Sequence, residues 1–268
     1  IYLREEPSIK ECESIDSMET FARIISYYMI HGLGGEIEIT NGEVVETLEE
    51  QFRSHCALGG TCAQAACALG MMGFPSIVHI TDRSKEVSHL MDGLGIEVTD
   101  LSGKRPIAEG SCGEPPVKHL ILQYPKGARI AVLGKEYVTS ISNRIILDYD
   151  KIHKYVPIET GFLEYCEGHA DDVLAYSCSG FNGIIDPAIM TGLAEKLSRH
   201  YRKIKKLNPN CIIYLESAHY MSAEVNNIVY ERLAGSIDLL GMNEEELTGY
   251  AQKHGMRVNT DEISLIPE

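Results

Sequence analysis

Glu216 ends the apolar stretch Cys211–Glu216 (CIIYLE). A carboxylate there must meet water, a partner or a ligand, because an unpaired buried carboxylate is costly. Ser217-Ala218-His219 follows it. Similar polar junctions stand at Ser179-Gly180-Phe181-Asn182-Gly183 and at Gly241-Met242-Asn243-Glu244-Glu245-Glu246. Each comes after an apolar stretch, and open parallel sheets bind ligands beyond the carboxyl ends of their strands. Taken singly, Glu216 reads equally as a strand-end acid in water. Asn243 to Glu246 read, taken singly, first as a helix first turn, where acids are favoured by the dipole and need no further function. Acidic junctions in consecutive units point to a divalent cation and a phosphate.

Gly59-Gly60-Thr61 opens the small-residue stretch TCAQAACALGMMG. Paired glycines let backbone approach a ligand at a helix N-terminus. They also serve as a tight strand-to-helix turn. The Ala, Cys and Gly content predicts a helix pressed closely against a sheet.

The elements that must hold these groups follow from periodicity. Residues 17–30 repeat apolar positions at helical spacing, with Asp16 and Glu19 placed as a capping box. Residues 35–39 alternate as a strand, and Asn41-Gly42 reads as a turn. Ile77–Ile80 reads as a buried strand and 84–93 as a helix. Lys118–Gln123, Arg129–Val132 and Asn143–Leu147 read as strands. In the second half, strands Val173–Ser177, Cys211–Leu215 and Ile237–Leu240 alternate with helices over 187–206, 223–233 and from about Asn243. That rhythm implies βαβ units and a mostly parallel sheet with helices on both faces. The mixed strands of the first half fit a small β lid better.

The chain has 268 residues, of which 44% are hydrophobic, and a formal net charge of -15. It can bury a substantial core. The acidity argues against nucleic acid or an anionic membrane as partner. It leaves room for a phosphate ligand, which needs only local donors and a metal. The eight cysteines (12, 56, 62, 67, 112, 166, 178 and 211) show no CxxC pair or zinc spacing. They read as reduced core thiols of a cytoplasmic protein. No apolar run is long enough to span a bilayer. Because the chain opens on Ile1 and closes at Glu268 after an apparent loop, the expectation is a part of something longer.

The ordered set of segments resembles the ADP-dependent glucokinase and phosphofructokinase branch of the ribokinase-like kinases, from about residue 31 to 250. GLGGEI resembles that branch's Gly-x-small-small-Glu segment, and GGTCAQAACALGMMG its glycine-pair helix beside the sugar. VKHLILQYPKG resembles its His-bearing lid strand, and SNRII its Asn-Arg strand. YSCSGFNGI resembles its Ser-Gly loop, YLESAHY its Glu-bearing strand end, and GMNEEEL its NxxE motif. The resemblance implies an α/β, ribokinase-like fold: a mostly parallel sheet flanked by helices, with a small β lid. It implies one incomplete domain over 1–268, with lid strands within 31–45 and 117–148 and a large α/β domain over 50–116 and 149–268.

By resemblance, Glu36 matches the acid that binds sugar hydroxyls in the glucokinases, which the phosphofructokinases lack. Gly59, Gly60 and Thr61 match the sugar-contacting turn, and His119 the lid histidine near the sugar. Arg144 and Asn243 match phosphate-side groups. Glu216 and Glu246, with Asn243, match the groups that organise Mg²⁺ and its waters. Each has a plain alternative: Glu36 as an exposed strand residue, His119 as a satisfied structural histidine, Arg144 as a partner of Asp148. The implied reaction transfers a phosphoryl group from ADP to a hexose, with glucose favoured by Glu36. The implied partners are a small-molecule sugar and a nucleotide. The family's Gln after the glycine pair is replaced here by the shorter Thr61. No GxGD-like motif occurs in the sequence, so the catalytic Asp is expected beyond Glu268. An ATP-dependent ribokinase-like sugar or nucleoside kinase and a non-catalytic sugar-binding homologue are the alternative readings.

Overall fold

The computed structural model describes residues 3, 6–9, 13–100 and 102–256. The chain is mixed α/β and divides into two compact units: Ile1–Cys56 with Val117–Lys151, and Ala57–Pro116 with Ile152–Glu268. The first unit is thus assembled from two separate stretches of chain.

In the first unit, α1 (Met18–His31) and α2 (Gly42–Gln51) pack on a sheet of order β1-β8-β5, made of Gly35–Glu38, Asn143–Tyr149 and Lys118–Tyr124. β1 runs parallel to β8, with Gly35 opposite Ile145, and β5 antiparallel to it, with His119 opposite Asp148. Alternation sends Ile37, Ile145 and Leu147 into a core with Phe21, Ile24, Val44 and Leu48. The other face carries the polar residues of the same strands. A hairpin of β6 (Arg129–Val132) and β7 (Lys135–Val138) completes the described strands of this unit.

Local chemistry corrects two expectations here. α1 is capped by Ser17, whose hydroxyl accepts from the Thr20 N–H, and Asp16 instead accepts from the Thr20 hydroxyl at 2.7 Å. Asn41-Gly42 is not a hairpin turn. Asn41 is the N-cap of α2, its side chain accepting from the Glu43 N–H at 3.0 Å. Asparagine suits both roles, since its side chain mimics a backbone acceptor in turns and caps alike.

The second unit holds the α/β alternation. β9 (Ala175–Cys178), β10 (Ile212–Glu216) and β11 (Leu239–Gly241) form a parallel sheet of order β11-β10-β9. The connections are α6 (Pro187–Leu207) and α7 (Ala223–Leu233), with α5 (Thr160–Gly168) before β9 and α8 (Glu244–Lys253) after β11. α6 starts where Asp186 caps Pro187, a residue pre-set for a helix's first turn. It buries Met190, Ala194, Leu197, Tyr201 and Ile204, spaced three or four residues apart so that they form one stripe. That stripe packs with Tyr176, Ile213 and Leu215 from the sheet and Val225 and Val229 from α7.

A second layer of the unit combines α3 (Thr61–Met71), β2 (Ser76–Ile77), α4 (Lys85–Met91), β3 (Ile96–Asp100) and β4 (Gly103–Pro106). Its three strands form a sheet of order β2-β3-β4. The strand expected over Ile77–Ile80 is shorter than the apolar run. α3 does lie close to its neighbours: a Cβ at Gly70 would overlap the Leu94 carbonyl oxygen. Ala66 is buried there with Met91, Ile96, Val98 and Ile107. The described cysteines are free thiols, and Cys12 lies outside the described residues. No helix among the described residues is long and apolar enough to cross a membrane.

Candidate active site

Among the described residues, those singled out in the sequence fall into two groups, one in each unit. On the first unit's sheet, β5 places His119 opposite Asp148, β1 places Glu38 opposite Asp148, and β8 carries Arg144, Ile146 and Asp148 with one alternation. Opposed and i+2 residues share a face. Glu36, His119 and Arg144 therefore project from the face opposite the core, together with Asp148.

His119 Nε2 lies 3.2 Å from Asp148 Oδ1 and 3.2 Å from Asp150 Oδ2. Its imidazole pKa is raised, chiefly by the hydrogen bond to Asp150; burial opposes this, and Asp148 and Glu36 add attraction to the charged form. The sequence-based pairing of Arg144 with Asp148 does not occur. Four residues along an extended strand span about 13 Å, and Asp148 is turned to His119 instead. Asp150 was not singled out in the sequence. The acidic Asp148-Tyr149-Asp150 run after the Asn-Arg strand was the available sign.

The His119 arrangement gives a pH dependence. The folded-state pKa lies above the unfolded one, so its stabilisation is fully present below about pH 6.5, the unfolded value. It is lost as pH rises through the folded value. Asp150→Asn is expected to lower the His119 midpoint read by NMR. It should also destabilise the protein more at pH 6 than at pH 8.5. A midpoint unmoved by Asp150→Asn overturns this account.

In the second unit, Gly60 is the N-cap of α3 at φ 83° and ψ 119°, a left-handed backbone that disfavours side chains. No side chain caps the helix there, so its first N–H groups are left for water or a ligand. Gly59 has open space at its Cα, and Thr61 is exposed. The next residue, Cys62, contacts β9: its Sγ is 3.1 Å from Ser177 Oγ. Ser177 lies opposite Tyr214 of β10 in the parallel register. Tyr214 in turn donates its hydroxyl proton to Glu216 Oε2. The Tyr214 pKa is pushed up to about 12, first by that carboxylate and then by burial. The glycine-pair turn and the strand-end acid thus sit on one connected stretch of this unit.

Glu216 ends β10 opposite Gly241 of β11, and the Ser217 N–H continues the pairing to the Gly241 carbonyl at 2.9 Å. Two residues on, Asn243 caps α8 in a reciprocal box. Its Oδ1 accepts from the Glu246 N–H at 2.8 Å, and Glu246 Oε2 accepts from the Asn243 N–H at 3.2 Å. Asn243 Nδ2 also donates to Glu246 Oε1 at 3.0 Å. The helix-start reading weighed for this segment is therefore real, and Glu246 is held by a cap that was not singled out in the sequence.

These donors suit Mg²⁺, which prefers oxygen ligands, keeps several waters and takes one or two carboxylates. Glu216 Oε1 carries no hydrogen bond from the described residues and can offer lone pairs. Glu246 spends one lone pair of each oxygen on the cap and retains others. Glycine at 241 keeps space beside Glu216, because a Cβ there would overlap Glu216 Oε2.

Residues 4–267 match the ADP-specific Phosphofructokinase/Glucokinase conserved region. The chain belongs to that family. No curated protein sequence matches it. Among solved structures, a hypothetical ADP-dependent phosphofructokinase from Pyrococcus horikoshii OT3 superposes with a TM-score of 0.70 at 17% identity. The match covers 93% of this chain and 58% of that one. The last common ancestor of ADP-dependent phosphofructokinases from Methanosarcinales gives 0.64 at 18% identity, covering 85% and 49%. An ADP-dependent kinase in complex with fructose-6-phosphate and ADPbetaS gives 0.68 at 16% identity, covering 85% and 51%. At these identities the likeness is one of fold, and it places the chain in the ribokinase-like α/β class. The chain spans about half the length of these ADP-specific kinases.

Proposed function

We propose that the protein acts as a Mg²⁺-dependent sugar kinase that transfers the β-phosphoryl group of ADP to a hexose, with glucose as acceptor. The observation that carries this reading is Glu216 beside Gly241 and the Asn243–Glu246 cap, at the carboxyl edge of a parallel sheet, in a chain of the ADP-specific family.

Phosphoryl transfer needs positioning and charge neutralisation more than covalent chemistry from the protein. Mg²⁺ at this edge would supply a counter-charge to the phosphates. Glu216 would hold it directly, and Glu246, already fixed by its cap, would hold its waters. The uncapped start of α3 at Gly59, Gly60 and Thr61 would bind sugar hydroxyls through backbone N–H groups. Asn243 and Arg144 would act on the phosphate side. Glu36 and His119 would accept from and donate to the sugar. No side chain of this sequence is assigned the removal of the acceptor proton.

Glu36 on the open face of the first unit supports glucose. The fructose-6-phosphate complex of the ADP-dependent kinase supports the sugar phosphate as a second reading. The deciding assay offers ADP and ATP to the full-length protein, each with glucose and with fructose 6-phosphate. Turnover with ADP and glucose, abolished by EDTA, is expected. Glu36→Ala should then raise the KM for glucose about tenfold or more, the cost of a hydrogen bond to a charged group. Turnover with fructose 6-phosphate alone overturns the glucose assignment, and turnover with ATP alone moves the protein to the ATP-dependent kinases. A folded, full-length protein inactive with every pair overturns the kinase reading in favour of a sugar-binding homologue.

A further inference from the structure

Tyr214 and Glu216 lie two residues apart on β10, so their side chains leave the strand on the same face. The tyrosine hydroxyl donates to Glu216 Oε2. Across the register from Glu216 stands Gly241, and a Cβ there would overlap both Tyr214 Oη and Glu216 Oε2. The hydroxyl and the carboxylate oxygen are therefore packed against bare glycine backbone, and that contact is possible only without a side chain at 241. On its other flank, Tyr214 lies opposite Ser177, which meets Cys62 in the first turn of α3.

We propose that Tyr214 is a positioning residue for the Glu216 carboxylate, fixing Oε2 against Gly241 so that Oε1 is presented to Mg²⁺ or its waters. This rests on the reading of Glu216 as the metal-organising acid. A glutamate at a half-buried strand end otherwise loses rotamer freedom when it is fixed on a ligand. A donor that holds it beforehand removes part of that cost from binding. Partners behind a ligating carboxylate are typically worth about 10–100-fold in metal affinity or activity. The hydroxyl is the only group deleted in Tyr214→Phe, and the ring that packs beside it is kept.

The test uses full-length protein and Mn²⁺ alone as probe, followed by electron paramagnetic resonance. The site that disappears in Glu216→Gln defines the one to compare. For Tyr214→Phe, its Mn²⁺ dissociation constant is expected to rise about tenfold or more. The Mg²⁺ concentration for half-maximal turnover should rise with it, while kcat at saturating Mg²⁺ and the melting temperature change little. A purely structural tyrosine would lower the melting temperature and leave the Mn²⁺ titration where it was. Wild-type Mn²⁺ affinity in Tyr214→Phe, with the site lost in Glu216→Gln, overturns the positioning role alone. Wild-type Mn²⁺ binding in Glu216→Gln overturns the metal assignment of Glu216 and, with it, the role of Tyr214.

Discussion

Glu216→Gln is expected to lower kcat for the proposed ADP-driven sugar phosphorylation by at least about 100-fold, the scale for removing one preorganised electrostatic group. The substitution keeps the length of the side chain and its hydrogen-bond acceptor, so Tyr214 can still donate to it. What disappears is the negative charge, at the position where β10 ends opposite Gly241. Asn243 and Glu246 remain locked in their reciprocal cap, because none of their hydrogen bonds involves Glu216. The melting temperature should therefore stay near that of the unsubstituted protein, which separates lost chemistry from lost folding. Steady-state rates across a Mg²⁺ series provide the check. A loss of less than about fivefold at saturating metal would falsify the assignment of Glu216 to phosphate-side charge control.

The largest stability effect is expected from Ile213→Ala. Ile213 is fully buried on β10, in one core with the α6 stripe and residues of α7. Truncating such a side chain removes its transfer free energy and leaves a cavity, together costing about 2–5 kcal/mol. Its neighbours cannot easily collapse into the gap. Leu197, Tyr201 and Ile204 are tied to a 21-residue helix, and Leu215 is fixed by the sheet ladder. Ile213→Val, which deletes a single methyl group, should cost only about 0.5–1.5 kcal/mol. Urea unfolding of both variants measures this, and equal losses in the two would contradict a tightly packed centre.

The α/β half of the chain was readable because its strands are short apolar runs separated by long amphipathic helices. α7 falls on Ala223–Leu233, the residues the pattern marked, and α6 extends one residue past its expected end. The first half was harder for a physical reason. β1 pairs with β8 and not with a neighbour in sequence, and no periodicity encodes a partner so distant. α2 was hidden because Asn41-Gly42 serves a cap as well as a turn. β3 and β4 pair through the tight Asp100 to Gly103 connection and passed unnoticed, although IEVTD alternates. At the site, Glu216 stood out as an acid ending an apolar strand. Tyr214 did not, because inside CIIYLE it looks like one more core residue. Only its two-residue offset from Glu216 hinted that it shares a face with the carboxylate. Asp150 escaped notice in the same way, since an acid after a strand is ordinary until a histidine from another strand is seen against it.

The register between β1 and β8 has a consequence for how the protein is made. At about 5–20 residues per second, the ribosome releases β1 early, and Gly35 must then wait for Ile145 to emerge. Until then Ile37 has no strand to lie beside, and the α1 and α2 stripes built around Phe21 and Val44 lack their floor. The nascent chain in that interval presents an unpaired strand edge, the feature that invites association between chains. Meanwhile the β2-β3-β4 sheet and the small core it shares with α3, encoded between the two stretches of the first unit, are built from residues near one another in sequence. Synthesis therefore favours an order in which the inserted layer consolidates first and the first unit completes its sheet afterwards. Slowing translation before Asn143 should accordingly cost soluble yield more than a pause placed after Tyr149.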